Sequence, residues 1–263
     1  MELSDVTETR SGSTAWLRIN RPEKRNAINA AVIEGTIAAL DRLKADPEIH
    51  CVVITGEGDV AFCVGMDFKY LLKKRETGVG PEFLSMIKAI YEFPKITIAA
   101  VNGYCLGGGV NVLCACDLAI ASDRASFGLP EVAHGGPPGL VVGPVMKTVA
   151  RKHAFELNLM GKRTWDAAKA ERRGLVNEVV PHEKLASVAQ QWADEIGSFV
   201  PSSVEYCKRI CQEVPDNAAS YIDSLLLTRQ IATEHKNLTP AFDDGLKAFL
   251  GGKRIEFNKG AKG

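Results

Sequence analysis

The chain has 263 residues, 46% of them hydrophobic, with 32 basic side chains against 32 acidic ones and no net charge. That length holds one large domain, or one core with a smaller appendage, and neutrality argues against bulk attraction to nucleic acid or to an anionic membrane. No run approaches the roughly 20 apolar residues of a membrane span, and the opening Met1-Glu2-Leu3-Ser4-Asp5 is acidic and polar where a secretory leader is basic and then apolar, so a soluble, cytoplasmic setting is expected.

In chain order, the alternation in Ala15-Trp16-Leu17-Arg18-Ile19 predicts a strand, and Arg21 to Asn26 the loop that follows. Ile33, Ile37 and Leu40 then recur at helical spacing, with Asn29 as the cap and Asp46-Pro47 as the stop. Cys51 to Thr55 reads as a buried strand, followed by a hairpin-like turn at Gly56 to Asp59, a glycine loop at Ala61 to Asp67, and a helix from Phe68 to Lys74. Ile96 to Ala100 is a second buried strand; the stretch Val101 to Asn111 runs on from it through glycines into a helix start. A strand near Leu118 to Ile120 closes an α/β pattern. From about Leu140 the chain turns helical, with apolar faces in 140–161, 183–199, 202–213 and 217–235 and turns at Gly161, Gly174 and Pro201. Seven cysteines, mostly in apolar runs, read as buried free thiols in a reducing compartment. Without a Cys-x-x-Cys pair or a helical His-x-x-x-His pair, no metal site is expected.

Gly107-Gly108-Gly109 is the most informative feature, because the first N–H groups of a helix have no partner inside it and carry partial positive charge. Such a junction holds an anion, or an oxygen that becomes anionic during a reaction; it also serves as an ordinary tight turn. The Gly65-Met66-Asp67 loop is a second junction of the same kind. Two such junctions on adjacent strands can offer two N–H groups to one oxygen, as an enolate or tetrahedral oxyanion requires.

Asn20-Arg21-Pro22 with Asn26-Ala27, Phe62-Cys63-Val64-Gly65-Met66-Asp67, Ala99 to Gly103 with the three glycines, Cys116 to Ala121, Phe127-Gly128-Leu129-Pro130-Glu131 and Gly174 to Val179 occur in that order. Together they resemble the enoyl-CoA hydratase/isomerase (crotonase) family, from about residue 14 to 250. The resemblance implies a spiral of ββα turns as an α/β core over 1–195 and a helical C-terminal region over 196–263 that assembles homotrimers, often paired into hexamers. It implies an acyl-CoA thioester as substrate, with no cofactor beyond the coenzyme A that the substrate carries. The N–H groups of Met66 and Gly108 match the family's oxyanion donors.

Family hydratases carry one glutamate in the first turn after the glycines and another after the Phe-Gly-x-Pro motif. This chain has Asn111 at the first place and Glu131 at the second. An amide does not titrate near neutrality, so Glu131 is expected to move the proton and Asn111 to orient water or substrate. His134 is a candidate substrate contact or second base. Lys24, Arg25 and Lys69 are candidates for the coenzyme's phosphates, with Phe249 and Lys253 completing the pocket from a neighbouring subunit. The segment Gly135 to Val142 is similar to that of the hydroxycinnamoyl-CoA hydratase-lyase branch; Tyr206 and Tyr221 are not assigned to its phenol-recognising tyrosine. The expected function is an acyl-CoA lyase that hydrates an α,β-unsaturated CoA thioester through an enolate held by Met66 and Gly108, with Glu131 as general acid/base; double-bond isomerisation, C–C cleavage of a β-keto thioester or of the hydrated product to an aldehyde, and silent acyl-CoA binding are its alternatives.

Overall fold

A computed structural model describes residues 4–78, 80–136, 139–236 and 241–251. Pro137 and Pro138, the side chain of Phe249, and Lys253 lie outside the described residues.

β1 (Val6–Ser11), which the sequence pattern did not announce, pairs antiparallel with β2 (Thr14–Ile19) at the edge of the main sheet. Beyond a short 3-10 turn at Pro22–Lys24 comes α1 (Ala30–Ala45), capped as expected: Asn29 Oδ1 accepts from Val32 N at 2.9 Å. From there the chain repeats one move. A long strand enters the main sheet, a three-residue strand enters a second sheet, and a helix or helical turn follows. The first pass is β3 (Cys51–Gly56), β4 (Ala61–Cys63), α2 (Phe68–Thr77) and α3 (Phe83–Tyr91). The second is β5 (Ile96–Val101), β6 (Tyr104–Leu106) and α4 (Gly108–Ala115). The third is β7 (Leu118–Ser122) and β8 (Ser126–Gly128), then a 3-10 turn at Pro130–His134. Thus Gly56 to Asp59 is a link between sheets, not a hairpin, and the glycine cluster does not leave a buried strand directly, because β6 intervenes.

The chain continues through α5 (Val142–Thr148), α6 (Arg151–Leu159), β9 (Trp165–Asp166), α7 (Ala167–Arg172), β10 (Glu178–Val180) and α8 (Leu185–Gly197). The sheets run β1-β2-β3-β5-β7-β10 and β4-β6-β8-β9, parallel except where β1 meets β2 and β8 meets β9. Because β3 and β5 are covered on both faces, they read as continuous apolar runs. Period-2 alternation divides them: Val52, Ile54, Ala99 and Val101 join the core shared with α1, α3 and α4, while Cys51, Val53, Ile98 and Ala100 face α8 through Leu185, Ala189 and Ala193. Fully burying each Val or Ile contributes roughly 1.5–3 kcal/mol.

The helical tail comprises α9 (Pro201–Asn217), α10 (Tyr221–Lys236) and α11 (Ala241–Leu250). An ion pair fixes α9 to the sheet: Lys208, with its side chain 4% exposed, reaches Asp117 at 2.8 Å and the Lys95 carbonyl at 3.0 Å. Asp117 also accepts from the Thr97 amide at 2.8 Å and hydroxyl at 2.9 Å. Three expectations are corrected. The apolar face at 140–161 is two helices, broken at Val149-Ala150, where the Val149 backbone is extended. The face at 217–235 begins later, since α9 runs to Asn217 and α10 starts at Tyr221. Cys207 and Cys211 are exposed on α9, whereas Cys51, Cys63 and Cys105 are buried, and burial pushes the Cys63 thiol up to about 12. No described helix is long and apolar enough to cross a membrane.

Candidate active site

Two loops meet at the N-terminus of α4. The loop after β4 carries Gly65 at φ +91° and Met66; the turn after β6 carries Gly107 at φ +52°, and α4 begins at Gly108. Both glycines hold backbone that an L side chain rarely adopts, and both lie against the opposite loop. A Cβ on Gly65 would stand 2.8 Å from the Gly108 nitrogen, and one on Gly108 would stand 3.7 Å from the Met66 nitrogen. Among the described residues, neither the Met66 nor the Gly108 N–H donates a hydrogen bond. The paired donors expected from the sequence are therefore brought together at one spot.

Beside them stands Glu131, on the 3-10 turn after β8. A Cβ on Gly107 would be 2.8 Å from Glu131 Oε1, so the missing side chain makes room for the carboxyl. Its other oxygen, Oε2, is buried and has no hydrogen-bond partner among the described residues. Burial raises the Glu131 carboxyl above the ordinary glutamate range; a hydrogen bond from its own amide and the nearby His134 offset this only in part. A carboxyl so poised can both take and return a proton.

Asn111 lies in the opening turns of α4 and is 1% exposed. Its Nδ2 donates to the Leu140 carbonyl at 3.2 Å, and its Oδ1 is buried with no partner among the described residues. With the nitrogen turned to a carbonyl, the open group is the acceptor, which suits a water or hydroxyl donor. His134 is exposed, with Nδ1 against the Pro130 carbonyl at 2.8 Å and its ring centroid 6.3 Å from that of Phe68. In a 3-10 turn residues three apart eclipse, so His134 and Glu131 lie along one edge. The hydrogen bond to Pro130 makes His134 partly structural and leaves Nε2 as its open nitrogen.

Lys24 and Arg25 are exposed on the 3-10 turn after β2, and Lys69 is exposed in the first turn of α2. None of the three side chains has a carboxylate partner among the described residues. A parallel bridge between Ile28 and Met66 joins their two loops. Residues that stand in the family motifs but carry no predicted role hold this frame. Arg21 reaches Asp67 at 3.0 Å and the Ala27 carbonyl at 2.6 Å, and the buried Asn26 donates to the Ala61 carbonyl at 2.7 Å. Asp67 also caps α2, its side chain accepting from the Lys69 and Tyr70 amides.

The sequence pattern of the enoyl-CoA hydratase/isomerase family matches residues 9–260. A hydroxycinnamoyl-CoA hydratase-lyase of Pseudomonas fluorescens is 36% identical over 258 residues, covering 92% of this chain and 90% of its own. A short-chain-enoyl-CoA hydratase of Clostridium acetobutylicum is 30% identical over 260 residues, covering 97% and 98%. The crystal structure of an enoyl-CoA hydratase from Polaromonas sp. JS666 superposes with a TM-score of 0.86 at 29% identity, covering 96% of this chain and 99% of that one. The spiral is thus the crotonase fold.

Proposed function

Because the chain belongs to the enoyl-CoA hydratase/isomerase family, we propose that it is an acyl-CoA lyase that hydrates an α,β-unsaturated CoA thioester through an enolate. The thioester carbonyl oxygen accepts from the N–H groups of Met66 and Gly108. Asn111 Oδ1 accepts a hydrogen bond from one O–H of a water, which the product hydroxyl keeps, and the Glu131 carboxylate removes the other proton as the oxygen bonds to Cβ. The electrons of the Cα=Cβ bond move onto the carbonyl, giving an enolate that the two N–H groups stabilise. Glu131, now protonated, returns its proton to Cα and is a carboxylate again. One carboxyl thereby performs both transfers that two perform in the family's paired-glutamate hydratases.

The observation that carries this reading is the buried Glu131 Oε2 beside two N–H groups, all three without a hydrogen-bond partner among the described residues. Lys24, Arg25 and Lys69 are assigned to the phosphates of coenzyme A, and His134 with Phe68 to the outer end of the acyl group. The exposed Tyr221, Ile222, Leu225 and Leu226 of α10 support self-association as a homotrimer or hexamer. A second reading, cleavage of the hydrated product to an aldehyde, draws on the hydroxycinnamoyl-CoA hydratase-lyase relative and on the Phe68–His134 ring pair.

The test is steady-state turnover of a panel of aliphatic and aryl enoyl-CoA thioesters by the wild type and Glu131→Gln. Loss of the general acid/base is expected to lower kcat by about 10²–10⁴-fold. Undiminished hydration by Glu131→Gln would eliminate the assignment, and an aldehyde product would favour the second reading.

A further inference from the structure

The N–H of Met66 is aimed by a chain of hydrogen bonds that begins at a cation outside the reaction centre. Arg21 Nη1 donates to the Ala27 carbonyl at 2.6 Å. The Ala27 carbonyl and the Ile28 N–H share one planar trans peptide, so fixing one direction fixes the other. Ile28 N in turn donates to the Gly65 carbonyl at 2.8 Å. The Gly65 carbonyl and the Met66 N–H share the next peptide plane, and the Met66 N–H therefore points away from Ile28 along a line that Arg21 sets.

A second arm closes the ring. Arg21 Nη2 donates to Asp67 Oδ2 at 3.0 Å, and Asp67 Oδ1 caps α2 by accepting from Lys69 N at 3.0 Å. Asp67 N donates back to the Ile28 carbonyl at 2.8 Å. Burial opposes ionisation of Asp67, yet Arg21 and the capping amides outweigh it and hold the carboxyl below its ordinary range. Arg21 is 13% exposed on its side chain and Asp67 16%, so solvent screens the pair weakly.

From this geometry we infer that Arg21 is a positioning residue for the reaction: through the Ala27–Ile28 and Gly65–Met66 peptides it orients and polarises the Met66 N–H that receives the enolate oxygen. Successive hydrogen bonds in a low-dielectric setting strengthen one another, so a guanidinium at the head of the chain makes its last N–H a better donor. A lysine cannot reproduce this, because one ammonium lacks the planar fork that grips a carbonyl and a carboxylate together. The inference rests on the reading of Met66 as an oxyanion donor.

Two measurements on Arg21→Met and Arg21→Lys test it. The first is kcat and KM on an enoyl-CoA that the wild type hydrates. The second is the infrared carbonyl stretch of bound butyryl-CoA or 3-phenylpropionyl-CoA labelled with 13C at the thioester carbon, which falls as the carbonyl is polarised. A donor displaced by a fraction of an ångström up to about 1 Å costs up to about 10²-fold, so Arg21→Met is expected to lose about ten- to a hundredfold in kcat with KM within about twofold. Its bound carbonyl stretch moves back toward the free value, and Arg21→Lys falls between. If Arg21→Met does not fold, Arg21→Lys carries the test alone. A folded variant with wild-type kcat and the full carbonyl shift overturns the inference while leaving the oxyanion site standing. Absence of any shift in the wild type overturns both.

Discussion

Gly107→Ala perturbs the proton carrier and the oxyanion donors at once. The new Cβ would lie 2.8 Å from Glu131 Oε1, against an ordinary contact of at least 3.4 Å, so the carboxyl must retreat by about half an ångström or more. The backbone at φ +52°, ψ −124° is one that alanine holds only under strain of about 1–3 kcal/mol. At about 2–4 °C per kcal/mol for a chain of this size, the melting temperature should fall by several degrees. A 1 Å misplacement can cost about 10²-fold, and half of that predicts a loss of about ten- to a hundredfold in kcat. The assay is the initial rate of enoyl-CoA hydration, followed by loss of the conjugated thioester absorbance, beside a thermal melt. Gly174→Ala is the control: its φ is +76° with no atom within 4 Å of the added Cβ, so it should lose stability and keep its rate. Wild-type kcat in a folded Gly107→Ala enzyme would refute the argued contact between that turn and Glu131.

The raised Glu131 carboxyl sets two pH effects. As a base it must be ionised, so kcat/KM should climb with pH through a pKa above the ordinary glutamate value of about 4.3, which a pH–rate profile reads. For stability the sign is opposite. The folded state favours the neutral acid, so the stabilisation is fully present below the unfolded pKa and is lost as pH rises through the folded one. Glu131→Gln should therefore flatten this decline and be more stable than the wild type at neutral pH in urea melts. Lys208→Met removes the buried partner of the half-buried Asp117, whose side chain is 15% exposed, and breaking a buried pair costs up to about 3–5 kcal/mol; equilibrium unfolding checks it, and a change below about 1 kcal/mol would count against the pair as the anchor of α9.

How much of this was legible in the sequence followed the range of the interactions. Asn29 capping α1, the runs at Cys51 and Ile96, and both glycine loops are local signals, and the structure bears them out. β4, β6 and β8 are three residues each, too short for any period to register, which is why the glycine cluster looked continuous with the buried strand before it. The clamp of Arg21 on Asp67 spans 46 residues and that of Lys208 on Asp117 spans 91; no local pattern encodes such pairings. The Asn111 amide can donate or accept, and only the fold brings the Leu140 carbonyl that occupies its nitrogen.

Hydrogen exchange in heavy water tests the central claim most directly, because it isolates enolate formation from the fate of the enolate. The wild type, incubated with a saturated acyl-CoA of the chain type it hydrates, should place deuterium at the α-carbon, and Glu131→Gln should do so at least about a hundredfold more slowly. Saturable binding of the thioester with no exchange by the wild type, or equal exchange by Glu131→Gln, would contradict the account.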